Sequence, residues 1–264
     1  MKRKQRIKEL LFWLGVVIYF VITVATARHY KKTMRYKSVE IIIADSAQHQ
    51  FINKDDILDI LANNKIKVEG QLLDSLNTLA LEHLMKSNHV IKEIEVYHDY
   101  NGTLYIRFTQ RNPIIRLLAN DHSSFYLDED GYDMEYLPKY ITHVPIVTGV
   151  DINEKMIAEN FNAQTGPFLM KRDSVLHDVF VLGSYIYNHP FWRHNIEQID
   201  LREDEIVLIP LVGSFEIQFG NMSDYKKKFM YLETFYEKVL PRVGWQKYKV
   251  INLKYKNQIV CQKK

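Results

Sequence analysis

The residues able to do chemistry are scattered rather than assembled. His189 and His194 lie five apart around Pro190, a poor spacing for two ligands of one metal, so a surface or core role fits them better than a zinc site. Asp128-Glu129-Asp130-Gly131 suggests a calcium loop. If Gly131 were its sixth residue, positions 1 and 12 would be Tyr126 and Leu137, and neither offers a carboxylate. An acidic hairpin turn explains the segment better, and Glu203-Asp204-Glu205 reads as a solvated turn. No G-x-S-x-G elbow, phosphate-binding loop, G-x-G-x-x-G or H-E-x-x-H occurs. The lone cysteine, Cys261, excludes an internal disulfide or a thiolate metal cluster, and in a terminal strand it reads as buried and inert. The sequence therefore predicts neither catalytic, cofactor nor metal residues, and points to binding instead of catalysis.

The chemistry left for binding lies at the C-terminal end. A last strand is often a sheet edge, whose unpaired N–H and C=O groups accept a partner strand. The partner-binding candidates are Tyr255, Lys256, Gln258, Ile259, Val260, Cys261 and Gln262. Tyr255 stands at the turn into this strand, where it either anchors an interface or packs into its own core; pattern alone favours the core.

The elements that must position this edge follow from hydrophobic period. Residues 38–110 read strand, helix, helix, strand, strand. Ser38–Ile43 is β-branched, and Asn53 caps a helix with Asp55 and Asp56 in its first turn. A second helix is expected over 71–87, with Leu73, Leu76, Ala80 and Leu84 on its apolar face. Two alternating runs flank Asn101-Gly102, a hairpin signature expected to place both turn residues at positive φ. Two helices can pack on such a small sheet.

Residues 114–264 are richer in strands. The expected order is a strand at 114–118, a hairpin turn at Asp130-Gly131, a helix near 151–160, a loop over 161–172, and a helix bearing Val175, Val179, Leu182 and Ile186. Strands follow at 196–201, 204–211 and 214–219, then a helix over 224–240 capped by Ser223 and ended by Pro241 and Gly244. Strands Tyr248–Tyr255 and Gln258–Gln262 close the chain. Lys226, Lys227 and Lys228 sit in the first turn of the 224–240 helix, the wrong end for its dipole. They read as a solvated patch, with an acidic partner as the weaker alternative.

Charge is unevenly placed along the 264 residues. The total is +3, yet residues 1–37 carry ten Lys/Arg against one Glu, a net of +9 that leaves −6 for the rest. An acidic bulk makes a poor nucleic-acid binder. Leu10–Ala27 is 18 residues without a charge, eleven of them Leu, Ile, Val or Phe. As a helix it spans about 27 Å, close to a bilayer's hydrocarbon core. It reads as a signal anchor or as a cleavable signal peptide cut after Ala25-Thr26-Ala27. The length of the run and the basic residues after it favour the anchor. The flanking lysines and arginines either touch anionic membrane lipid or only fix topology. The expected organisation is α+β: a basic cytoplasmic tail at 1–9, a single transmembrane helix at 10–27 and a juxtamembrane segment at 28–37. A compact α/β domain at 38–112 and a β-rich domain with flanking helices at 113–264 complete it.

In this order and spacing the chain resembles the FtsQ/DivIB family of bacterial cell division proteins. The matching segments are Ser38–Ile43, Val90–Val96, Leu104–Pro113 with its Arg-x-Pro, Phe125–Tyr132 (aromatic-x-D-x-x-G), Val144–Gly149, Ile217–Gly220 and Ile251–Tyr255. The resemblance implies that 38–112 is a POTRA-like domain and 113–264 the family's β-domain. It implies no enzymatic activity and no cofactor, and a divisome scaffold in the cell inner membrane. That scaffold would be single-pass, type II, with its bulk in the periplasm, enriched at the division septum and linking assembly to septal peptidoglycan synthesis. FtsB-like and FtsL-like partners are expected, the former adding a strand at the end of the β-domain. Tyr255 matches the Tyr of the family's D-L-R-Y segment, which here reads Asn252-Leu253-Lys254-Tyr255. Lys254 lacks the bidentate fork of arginine, which puts any salt bridge there in question. The alternatives are a POTRA-containing outer-membrane assembly or secretion component and a tethered cell-wall enzyme.

Overall fold

The computed structural model describes residues 2–45, 51–119, 123–136, 142–150, 175–203 and 205–264. The chain divides into two compact units, Met1–Gln110 and Arg111–Lys264. The helix expected near 151–160 and the loop over 161–172 lie outside the described residues.

The first unit opens on helix α1 (Lys2–Thr33), on which Phe12–Ile22 are exposed. Among the described residues no helix is long and apolar enough to cross a membrane. Strand β1 (Ser38–Ile43), helices α2 (Lys54–Asn63) and α3 (Thr78–Lys86), and strands β2 (Ile91–His98) and β3 (Thr103–Gln110) follow. The sheet order is β1-β3-β2, with β1 parallel and β2 antiparallel to the central strand. Ile41 and Val96 both pair with Ile106 across it, and all three are buried, as are Ile57 and Leu61 of α2 and Leu81 and Met85 of α3. Asn53 caps α2 reciprocally with Asp56: its Oδ1 accepts from the Asp56 N–H at 2.9 Å, and Asp56 Oδ2 accepts from the Asn53 N–H at 2.8 Å.

Two expectations in this unit are corrected. The second helix begins at Thr78, not 71, because Leu72 is extended and bridges to Arg35, while the Asn77 side chain caps Ala80. The later start changes the helix phase, so Leu81 and Met85 face the core and Ala80 is exposed. At the hairpin only Gly102 has positive φ (92°). Asp99 accepts from the N–H groups of Asn101 and Thr103, which builds a four-residue loop in place of a two-residue turn.

Among the described residues, the strands of the second unit form a single nine-stranded sheet. Its strands are β4 (Pro113–Ala119), β5 (Ser124–Asp128), β6 (Asp133–Glu135), β7 (Ile146–Val150), β8 (Ile196–Arg202), β9 (Glu205–Pro210), β10 (Glu216–Gly220), β11 (Tyr248–Asn252) and β12 (Val260–Lys263). The spatial order is β12-β11-β10-β9-β8-β7-β4-β5-β6. The joins β4–β7, β7–β8 and β10–β11 are parallel and the others antiparallel. Helices α4 (Val175–Asn188) and α5 (Tyr225–Lys238) contribute to one core with the sheet and pack on each other through Tyr185 and Phe229, ring centroids 4.8 Å apart. Val179, Leu182 and Ile186 are fully buried on α4, as are Phe229 and Leu232 on α5. The expected cap Ser223 is replaced by Asp224, left-handed at φ 53° with no side-chain cap bond. Pro241 opens a short further helix, α6 (Leu240–Val243), which Gly244 ends.

Candidate partner-docking edge

The terminal edge is built from β10 outward. Gly220 has φ 77°, and a Cβ there would come within 2.8 Å of Lys254 Cγ, so the glycine lets the chain after β11 pass close by. The Gln218 carbonyl accepts from the Leu253 N–H at 2.9 Å, and its side chain accepts from Asn252 Nδ2 at 2.7 Å. Asn252 Oδ1 in turn accepts from the Lys254 N–H at 2.9 Å. Asn252 thus supplies the acceptor that an Asp would supply at this position. Lys254 does find an ion partner, Glu205, at 2.7 Å and near the surface.

Leu253 pairs with Gln218, so the ladder between β11 and β12 ends at Asn252↔Val260. Asn257 then turns the chain at φ 62°. The final strand therefore starts at Val260, two residues later than expected, and Tyr255, Lys256, Gln258 and Ile259 form the turn into it. Side chains alternate from there. Ile259 and Cys261 are half-buried against the core, whereas Gln258, Val260 and Gln262 are exposed. Burial pushes the Cys261 thiol up, which keeps it protonated and unreactive. Among the described residues β12 pairs with β11 alone and forms one margin of the sheet. Tyr255 is 53% exposed, so its ring is not a core residue.

Two of the three lysines at the start of α5 are engaged at this edge rather than forming a solvated patch. Lys227 Nζ donates to Asn257 Oδ1 at 3.0 Å, and the Tyr231 hydroxyl reaches the same oxygen at 3.3 Å. Lys228 Nζ donates to the carbonyls of Phe219 and Asn221 at 2.9 and 2.7 Å, and burial lowers its pKa. Capture of the carbonyls at the end of β10 gives Lys228 a structural role at the wrong end of a helix, while Lys227 stays exposed and ties the turn through Asn257. Lys227, Lys228, Tyr231, Tyr255, Lys256 and Asn257 help line a cavity of about 260 Å³ beside the turn. Lys227 and Tyr231 were not among the sequence candidates; the lysine run was the available signal. Among the described residues, no group of three or more His, Cys, Asp or Glu is placed to hold a metal ion.

At the other side of the sheet two sequence segments meet. Arg111 Nη1 lies 2.8 Å from Asp128 Oδ2, and its guanidinium sits 4.1 Å over the Tyr132 ring. Asp128 Oδ1 accepts from the N–H groups of Asp130 and Tyr132, with Gly131 at φ 83° closing the turn. Burial pushes the Asp128 carboxyl up, against the opposing pull of Arg111 and the Tyr132 N–H. The Arg-x-Pro and aromatic-x-D-x-x-G segments are thus one contact.

A small α/β unit followed by a strand-rich unit with an open terminal margin defines a class that comparison with known proteins makes specific. Residues 36–109 match the family model described as POTRA-like domain, and residues 112–262 the one described as FtsQ/DivIB, C-terminal related. The cell division protein FtsQ of Rickettsia bellii (strain RML369-C) is 28% identical over 115 residues, 44% of this chain and 40% of the relative. The match therefore spans less than half the length of that relative. The chain belongs to the FtsQ/DivIB family of cell division proteins.

Proposed function

We propose that the chain is a membrane-anchored, non-catalytic scaffold of the divisome. It binds FtsB-like and FtsL-like partners outside the cytoplasmic membrane, at the septum, and couples divisome assembly to septal peptidoglycan synthesis. Family membership supports the division role. The observation that carries the binding mode is the free margin of β12, with exposed Tyr255 and Val260 beside it. An extended partner segment adds there as a tenth strand: backbone pairing supplies affinity, and the aromatic at the turn supplies selectivity. In this reading the charge-free run Leu10–Ala27 is the anchor, although no helix among the described residues meets the length and apolarity of a membrane span, with the tail inside and the two units outside. Among the described residues the strands of the second unit form an open sheet with margins at β12 and β6, which favours this reading over an outer-membrane transporter.

The test is co-purification of the full chain with the FtsB-like and FtsL-like pair of its own cell. Tyr255→Ala should weaken binding on the order of tenfold or more, as truncation of an aromatic anchor does. Val260→Glu should weaken it further, with the circular dichroism spectrum unchanged. Wild-type affinity in both variants would sink the proposal.

A further inference from the structure

The turn joining β9 to β10, Pro210–Phe215, exposes two large apolar side chains, Leu211 (60%) and Val212 (49%). Their exposure is built in rather than a matter of slack chain. The Leu211 N–H donates to the Asn195 carbonyl at 2.9 Å. Gly213 stands at φ 110°, where a Cβ would come within 2.4 Å of the Phe215 ring. Phe215 is itself buried, 6.0 Å from the Tyr236 ring. The turn is therefore clamped at both ends with its apolar tip pointing out.

This tip adjoins the end of β12. Glu216 of β10 and Gln262 of β12 both pair with Val250, so the β9–β10 turn and Lys263–Lys264 lie at the same end of the sheet. Ser214 ties them together: its hydroxyl donates to Gln246 and accepts from Lys264 Nζ, while the Lys264 N–H donates to the Lys247 carbonyl at 3.2 Å. The surroundings are cationic. Lys247, Lys249, Lys263 and Lys264 lie at this end of the sheet, Pro210–Phe215 carries no charge, and Glu216 just after the turn is paired with Arg202. Among the described residues of this unit, the exposed large apolar side chains are Leu211, Val212, Met230, Tyr255 and Val260. Four of those five flank the two ends of β12.

We propose that Leu211 and Val212, with Lys247, Lys263 and Lys264 around them, form a second contact for the segment that pairs with β12. Beyond the paired strand that segment continues past Lys264 with apolar side chains set among carboxylates. The inference rests on strand addition at β12. It specifies the partner: a strand flanked on one side by an acidic, apolar stretch. Continuity with the β12 margin selects a polypeptide over a lipid surface, because a flat membrane would not also engage the strand edge.

The experiment measures affinity of the full chain for the same co-purified partner pair across a salt series. Leu211→Ser/Val212→Ser, both exposed and so compatible with the fold, should weaken binding at least about tenfold. Lys263→Glu/Lys264→Glu should weaken it and flatten its salt dependence. If Val260→Glu abolishes binding while the Leu211/Val212 variant stays within twofold of wild type, this inference is overturned and strand addition stands. If Val260→Glu has no effect, strand addition fails whatever the turn does. Loss of binding to phosphatidylglycerol vesicles in the Leu211/Val212 variant, with partner affinity intact, would reassign the turn to lipid and overturn the proposal.

Discussion

Asp128 holds a buried guanidinium while accepting two backbone N–H groups of its own turn. Removing one partner of a buried ion pair leaves the other charge without compensation. Asp128→Ala should therefore cost about 3–5 kcal/mol of stability. Urea unfolding would show it as a lower midpoint at unchanged slope. A loss under 1 kcal/mol would mean that Arg111 finds another acceptor or reaches solvent. The two segments were legible as separate motifs, but their contact was not, since Arg111 and Asp128 stand 17 positions apart and meet only through the pairing of β4 with β5. Lys254 carries a similar lesson. The residue type argued against a bidentate pair, yet a single-point ion pair with Glu205 needs only reach, which the four-carbon stem provides.

Elements with strong local signals were read well. The Asn53 cap, the hairpin flanking Asn101-Gly102 and the buried faces of α4 and α5 all follow from period and capping residues. What local pattern missed was set by tertiary pairing, as where the Leu72–Arg35 bridge delays α3 and Asn257 delays β12. Glycines separate local from tertiary constraint at this scale. Gly102 and Gly70 have similar φ, 92° and 83°, but a Cβ at Gly102 would lie 2.5 Å from the Arg35 carbonyl oxygen, and one at Gly70 would meet nothing within 4 Å. Gly70→Ala should cost about 1–2 kcal/mol from conformation alone. Gly102→Ala should cost more, because the β2–β3 loop must also move away from Arg35. Equal losses in thermal unfolding would show that the loop yields freely.

For the whole molecule, the lack of catalytic motifs pointed to binding over catalysis, but sequence pattern could not join the strands of the second unit into one sheet. The parallel joins β4–β7 and β7–β8 connect strands far apart in sequence, and no local rule specifies such partners. Charge distribution was legible at this scale, and it motivates the proposed anchor. Ten of the 35 basic residues lie within the first 37 positions, around the apolar run Leu10–Ala27. Deleting residues 1–37 should release the protein from membranes that resist alkaline carbonate extraction. Retention of the shortened chain in the pellet would remove the anchor from the proposal.

The lysines at the two ends of β12, Lys256, Lys263 and Lys264, have one more effect. An open strand margin is ordinarily an invitation to its own twin, and two identical sheets meeting there would fuse into a longer one. Here such a meeting would press ammonium against ammonium along the seam. The charges that would suit the proposed acidic partner thus disfavour a pairing of two copies.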